Sequence, residues 1–277
     1  MVDQINLHRD INENKIDLQA SETREGFRTK EKSRPMASFE YVQSVVERLR
    51  IVKGGMTYSQ MEESSGIHST LLCRYVTGST RPSREQSLLL EKTLLRKSWF
   101  REKLREKMIV TEKGYLDLHQ VTSDPNSLRW IAGEVVSRFS KTKCDGILTA
   151  ASSGISLATA IAIEMGKPIV HATHSKSSGA RSYFEADLHS PNPSEVSTLY
   201  LARNQLSKGD SVLIVDDVAT SGRTLSGLIT LVKNAGCNVC GIFVLSSRSE
   251  SWKKRVSPLL ENDAKIVVLY ELNKVGE

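Results

Sequence analysis

Two adjacent carboxylates, Asp216 and Asp217, stand where a run of four aliphatic residues, 212–215, meets a turn of small and hydroxyl-bearing residues. Val218 follows the pair, and Ala219, Thr220, Ser221, Gly222, Arg223 and Thr224 make that turn. A loop of small residues lets backbone N–H groups point inward, and a helix that starts there adds its positive end; together they favour a phosphate. Thr220, Ser221 and Thr224 add hydroxyl donors. Asp216 and Asp217 would repel a phosphate but suit sugar hydroxyls, or a divalent cation bridging sugar and diphosphate. The combined chemistry is that of a ribose 5-phosphate site whose carboxylates grip the 2- and 3-hydroxyls.

The elements that must carry these groups follow from periodicity. The run 212–215 predicts a strand buried on both faces. Leu225, Leu228, Ile229, Leu231 and Val232 recur at helical spacing after the turn. Strand, acidic pair, loop and helix in that order are how an open α/β sheet presents a ligand at its strand ends. Further strands are predicted over 144–150, 167–172, 198–202, 239–245 and 265–269. Ala151, Ser152, Ser153 and Gly154 form a second small-residue strand-to-helix loop. Residues 175–197 are polar and rich in Ser, Gly and Pro, and predict a long loop without regular structure. Arg248 follows the strand beside the acidic one, and Trp252 is expected to pack rather than to stack on a ligand.

The stretch 212–224 resembles the phosphoribosyl diphosphate (PRPP) signature of type I phosphoribosyltransferases over all thirteen residues. The resemblance implies that Asp216 and Asp217 bind ribose hydroxyls and that residues 219–224 wrap the 5-phosphate. It implies that the backbone of 151–154 holds the diphosphate, and that the 175–197 loop closes over PRPP, with Lys176 and Arg181 reaching diphosphate oxygens. Mg²⁺ would enter with the diphosphate; the chain itself shows no metal-ligand set and no assigned catalytic residue. Gly114 to Leu118 and Ser123 to Pro125 resemble the N-terminal part of orotate phosphoribosyltransferases, but His119 stands where that family has a basic residue and Ser247 where an acidic one precedes Arg248.

Ahead of this half lie four short helical patterns over 38–95, broken by Gly54-Gly55, Gly66 and Gly78. The segment 58–84 resembles the lambda-repressor/Cro-like DNA-binding family, with Arg74-Tyr75-Val76-Thr77-Gly78 and Arg81-Pro82-Ser83 carrying the likeness. The resemblance implies that the third helix enters the major groove of double-stranded DNA. His68, Ser69, Thr70 and Arg74 would face bases, while Thr57, Ser79, Arg81 and Arg84 would hold phosphates.

Charge is split along the chain. Residues 1–110 hold 20 Lys+Arg against 15 Asp+Glu, and residues 111–277 hold 18 against 17, so most of the net +6 lies in the first part and suggests a polyanionic partner there. Four cysteines are too few for a disulfide scaffold; Cys237 and Cys240 read as free thiols, not a zinc site. No apolar run reaches a membrane span, so the expected compartment is the cytoplasm.

The expected organisation is a polar tail over 1–35, an all-α helix-turn-helix domain with a connecting helix over 36–107, and a doubly wound, mostly parallel α/β phosphoribosyltransferase-like domain over 108–277. Three functions fit it. The leading expectation is a homodimeric transcription regulator that senses PRPP or a related nucleotide and binds a pseudo-palindromic operator, as in purine repressors and archaeal orotate-enzyme-like regulators. The alternative is an active phosphoribosyltransferase, orotate- or purine-type. The third is an RNA-binding attenuation factor of the same fold.

Overall fold

A computed structural model describes residues 38–112, 115–189, 197–261 and 264–272. The predicted tail over 1–35 lies outside the described residues. Residues 37–277 form one compact unit.

The unit opens with five helices: α1 (Ser38–Gly55), α2 (Tyr58–Ser65), α3 (Ser69–Thr77), α4 (Arg84–Thr93) and α5 (Lys97–Glu106). Their ends are written in the local sequence. Thr57 and Ser83 each accept a backbone N–H three residues on, while Gln60 and Gln86 reach back to the cap residue's own N–H. Such reciprocal caps satisfy two otherwise orphaned donors. Gly66 and Gly78 terminate α2 and α3 at φ +69° and +82°, a region that side chains with a Cβ rarely adopt. Val45, Leu49, Met61, Leu72, Tyr75 and Leu90 are buried between these helices.

A two-stranded antiparallel ribbon, β1 (Ile109–Val110) and β2 (Leu116–Asp117), leads through α6 (His119–Thr122) to α7 (Pro125–Phe139). The alternation of strands and helices then begins: β3 (Gly146–Ala150), α8 (Ile155–Met165), β4 (Ile169–Ala172), β5 (Tyr183–Leu188), β6 (Ser197–Ala202), β7 (Ser211–Ala219), α9 (Arg223–Asn234), β8 (Asn238–Ser247), α10 (Ser251–Val256) and β9 (Lys265–Glu271). Five strands form one parallel sheet in the order β4-β3-β7-β8-β9. The expected doubly wound α/β architecture, preceded by an all-α segment, is what the chain adopts.

Alternation along β7 divides the core. Leu213 and Val215 face a first cluster with α7, α8 and the five N-terminal helices, through residues such as Val135, Ile161 and Phe100. Val212 and Ile214 face a second cluster with α9, α10 and the β5–β6 hairpin, through Leu228, Trp252 and Leu199. Burying β7 on both faces explains its unbroken aliphatic run. The helical segment is tied on by polar contacts as well. Arg101 donates to the Leu269 carbonyl at 2.8 Å, the Tyr270 hydroxyl donates to the Arg101 carbonyl at 2.8 Å, and Lys107 pairs with Asp124.

One expectation needs correction. The segment 175–197 is not a structureless loop: residues 183–188 form β5, paired antiparallel with β6 in a register from Tyr183↔Ala202 to Leu188↔Ser197. Buried Ala186 and Leu188 alternate with exposed Glu185 and Asp187, so the strand looks polar unless its partner is known. The part of the expected lid at 190–196 lies outside the described residues. Among the described residues, no helix is long and apolar enough to cross a membrane.

Candidate functional site

Parallel strands release their loops at one edge, so the turns after β3 and β7 become neighbours. β7 ends in Asp216, Asp217, Val218 and Ala219; Thr220 and Ser221 are exposed in the short turn, and Gly222 is the N-cap of α9. The turn is tighter than expected, because β7 runs to Ala219 and α9 starts at Arg223, leaving Thr224 in its first turn. Two requirements meet at Gly222. Its φ is +75°, and a Cβ there would lie 3.1 Å from the Trp252 carbonyl oxygen. Glycine is therefore the residue that brings the start of α9 into this position.

The two carboxylates differ. Asp216 is buried, and its Oδ1 accepts the Asp217 N–H at 3.1 Å. Burial first, and the adjoining Asp217 carboxylate second, push the Asp216 carboxyl well above the usual range. Asp217 is half-buried, and its Oδ1 accepts the Val218 N–H at 2.9 Å. The Ser153 hydroxyl donates to the same oxygen at 3.2 Å, across 64 residues of chain. That bond ties the 151–154 loop to the acidic pair. Within the loop, Ala151 N–H donates to the Ala172 carbonyl of β4, Ser152 and Ser153 are exposed, and Gly154 is the N-cap of α8.

The remaining expected ligand contacts are less gathered. Arg248 follows Ser247, which pairs with Ala219 across β7 and β8, so it stands at the same edge of the sheet. Lys176 is engaged elsewhere: it pairs with Glu185 at 2.6 Å and lies over the Tyr200 ring at 5.0 Å, on the β5–β6 hairpin. Trp252 is fully buried and donates through Nε1 to the Ser247 hydroxyl at 2.8 Å, so it packs, as expected. Among the described residues, no group of three or more His, Cys, Asp or Glu is placed to hold a metal ion.

The nucleic-acid candidates lie on the first helices. His68 caps α3, its Nδ1 accepting the Thr70 N–H at 3.3 Å, and Glu62 accepts the Ser69 N–H at 2.8 Å. His68, Thr70, Arg74, Ser79, Arg81 and Arg84 are exposed, Ser69 is half-buried, and Thr57 is the exposed cap of α2. Thr70 and Arg74 are one turn apart and share a face of α3.

Residues 117–273 match the family described as the phosphoribosyl transferase domain. The chain belongs to this family. A xanthine phosphoribosyltransferase of Bacillus thuringiensis (strain Al Hakam) is 30% identical over 161 residues, which span 57% of this chain and 79% of that relative. Adenine phosphoribosyltransferase structures share the fold. That of Rhodothermus marinus superposes with a TM-score of 0.54 at 19% identity, covering 63% of this chain and 99% of its own. That of Thermoanaerobacter pseudethanolicus gives 0.55 at 17%, covering 62% and 99%. The phosphoribosyl transferase domain thus takes in the sheet and both strand-end loops, while α1 to α5 precede the matched residues.

Proposed function

We propose that the strand-end cleft binds PRPP with Mg²⁺ and that the chain transfers the ribosyl 5-phosphate to a purine base. The observation that carries this reading is the bond from Ser153 to Asp217, which joins a diphosphate-sized loop to an acidic pair beside a helix N-terminus. In this reading the 5-phosphate sits on the 220–222 turn and the first amides of α9. Asp217 accepts the ribose hydroxyls. Asp216, held toward its neutral form by burial, fixes the backbone of Asp217 from behind. The 151–154 loop supplies N–H donors to the diphosphate, with Arg248 at the same edge; Lys176 would have to leave Glu185 to reach it.

Magnesium fits this donor set as a companion of the ligand. It is commonly held by one or two carboxylates plus substrate phosphates, and Asp217 with a diphosphate offers that combination. The ion would offset charge on the leaving diphosphate. The purine choice rests on the xanthine phosphoribosyltransferase relatives and on His119 and Ser247, which depart from the orotate pattern.

A second reading is favoured by one specific arrangement: α2, a three-residue turn and α3, with His68, Thr70, Arg74, Arg81 and Arg84 all exposed. Here residues 36–107 act as a DNA-binding domain on the 108–277 domain, in a cytoplasmic homodimer. Two α3 helices would enter successive major grooves about 34 Å apart on a pseudo-palindromic operator, and PRPP occupancy would set DNA affinity.

Calorimetric titration with PRPP and Mg²⁺, followed by incubation with purine and pyrimidine bases while diphosphate is assayed, tests the first reading. Binding with base-dependent diphosphate release supports the transferase. Binding without release for any base removes catalysis and leaves the sensor. Selection of DNA sequences by the full chain, with and without PRPP, then tests the second: an operator whose affinity PRPP does not alter ends the sensor reading.

A further inference from the structure

Thr149 lies at the end of β3, one residue before the strand gives way to the 151–154 loop. Its side chain is fully buried, and among the described residues its Oγ1 has no hydrogen-bond partner. The atom sits directly beneath Gly154. A Cβ built on Gly154 would come within 2.2 Å of Thr149 Oγ1. Gly154 has φ −76°, so space, not backbone conformation, demands glycine there. A buried hydroxyl without a partner is destabilising, and such atoms are rare in folded chains. This one is pressed against the loop whose neighbouring hydroxyl, Ser153, is bonded to Asp217.

We propose that Thr149 is a positioning residue: its hydroxyl takes up an amide N–H of residues 153–154 when the loop closes on a diphosphate. This inference rests on the reading of the strand-end cleft as a PRPP site. Asp217 Oδ1 accepts both the Val218 N–H and the Ser153 hydroxyl. Ribose hydroxyls arriving at Asp217 compete with Ser153, and losing that bond leaves the loop held by the Ile155 N–H on the Ser152 carbonyl, 3.3 Å, between two outer fixed points. Those points are the Ala151 N–H on the Ala172 carbonyl, 2.8 Å, and the Ala158 N–H on the Gly154 carbonyl, 2.9 Å. The segment between them can then settle onto the waiting hydroxyl. The unfavourable state of Thr149 in the present arrangement thus biases the loop toward the closed one, as a differential interaction must if a ligand is to shift an equilibrium.

Three full-length proteins test it: the unaltered chain, Thr149→Val, which keeps the shape and removes the hydroxyl, and Thr149→Ser, which keeps the hydroxyl and removes the methyl. Each is melted alone and titrated with PRPP and Mg²⁺. Thr149→Val is expected to melt roughly 2–4 °C higher, because a partnerless buried hydroxyl is gone. It is expected to bind PRPP about tenfold more weakly, because a hydrogen bond of the closed loop is gone too. Thr149→Ser should melt lower yet keep its affinity. A residue that only packs moves stability and affinity together, so Thr149→Val binding as tightly as the unaltered chain, or Thr149→Ser binding as weakly as Thr149→Val, overturns the proposal. An unaltered chain that does not bind PRPP overturns the reading of the site, and this inference falls with it.

Discussion

The cleft after β3 and β7 and the exposed face of α3 place their polar side chains by different means. In the cleft the groups are held by the fold. Asp216 is buried, Gly222 abuts the Trp252 backbone, and Ser153 meets Asp217 across two loops. On α3 the groups are held by their own helix and by its neighbour α2. His68 caps it, Glu62 secures its first turn, and Thr70 and Arg74 project from one exposed face. Alterations in the cleft should therefore act through backbone geometry and burial, whereas those on α3 should act through charge and leave the fold intact.

The sharpest way to break this comparison is Gly222→Val. It forces a branched side chain into positive φ and against the Trp252 carbonyl, so stability should fall by about 2–4 kcal/mol and PRPP binding should vanish. A thermal melt with unchanged midpoint would show that the cleft is not held as described. Asp217→Asn comes next. Losing a charged acceptor of hydroxyl hydrogen bonds costs about 1.5–3 kcal/mol, so PRPP affinity should drop roughly 10- to 100-fold by calorimetry while DNA affinity without PRPP stays unchanged. Equal losses of both would mean that the two regions are not separable.

Arg74→Ala probes the other side. If α3 reads DNA, affinity for it should fall by about 1–3 kcal/mol, with PRPP titrations and melting point unaltered. If binding weakens uniformly and the salt slope drops by about one unit, Arg74 holds a phosphate rather than a base. The smallest effect concerns pH. The Asp216 carboxyl is raised in the folded chain, so the unfolded chain binds fewer protons than the folded one above the ordinary Asp range; stability should decline as pH rises through that window. Asp216→Asn should flatten the decline in melts recorded from pH 4 to 8. Asp124, at the junction of α5 and α7, runs the other way. Burial opposes its charge, but Lys107 and Ser127 together hold the carboxyl down at about 2. The contribution of its ion pair with Lys107, about 1 kcal/mol or less for a partly exposed pair, is present above pH 4 and lost as pH falls toward 2.

Much of this was legible in order along the chain. The run 212–215 could only be a doubly buried strand, and the break into Asp216-Asp217 marks its edge because unpaired charges do not continue a core. The caps at Thr57 and Ser83 and the stops at Gly66 and Gly78 are local chemistry, readable within four residues. By contrast, β5 was hidden because its polar alternation makes sense only against β6. Lys176, expected at the diphosphate, instead finds Glu185 and Tyr200 once that hairpin forms. Thr149 looked like any strand threonine until Gly154 was folded back over it.

By itself, then, the sequence determined the parallel α/β architecture, the helices ahead of it, and the acidic strand end with its glycine-led turn, since each depends on periodicity or backbone preference over a few residues. Only the tertiary structure decided which of the paired carboxylates is buried, which loop hydroxyl reaches the other, and that Thr149 Oγ1 has no partner among the described residues. Those properties depend on desolvation and on contacts between segments tens of residues apart, and neither is encoded at any single position.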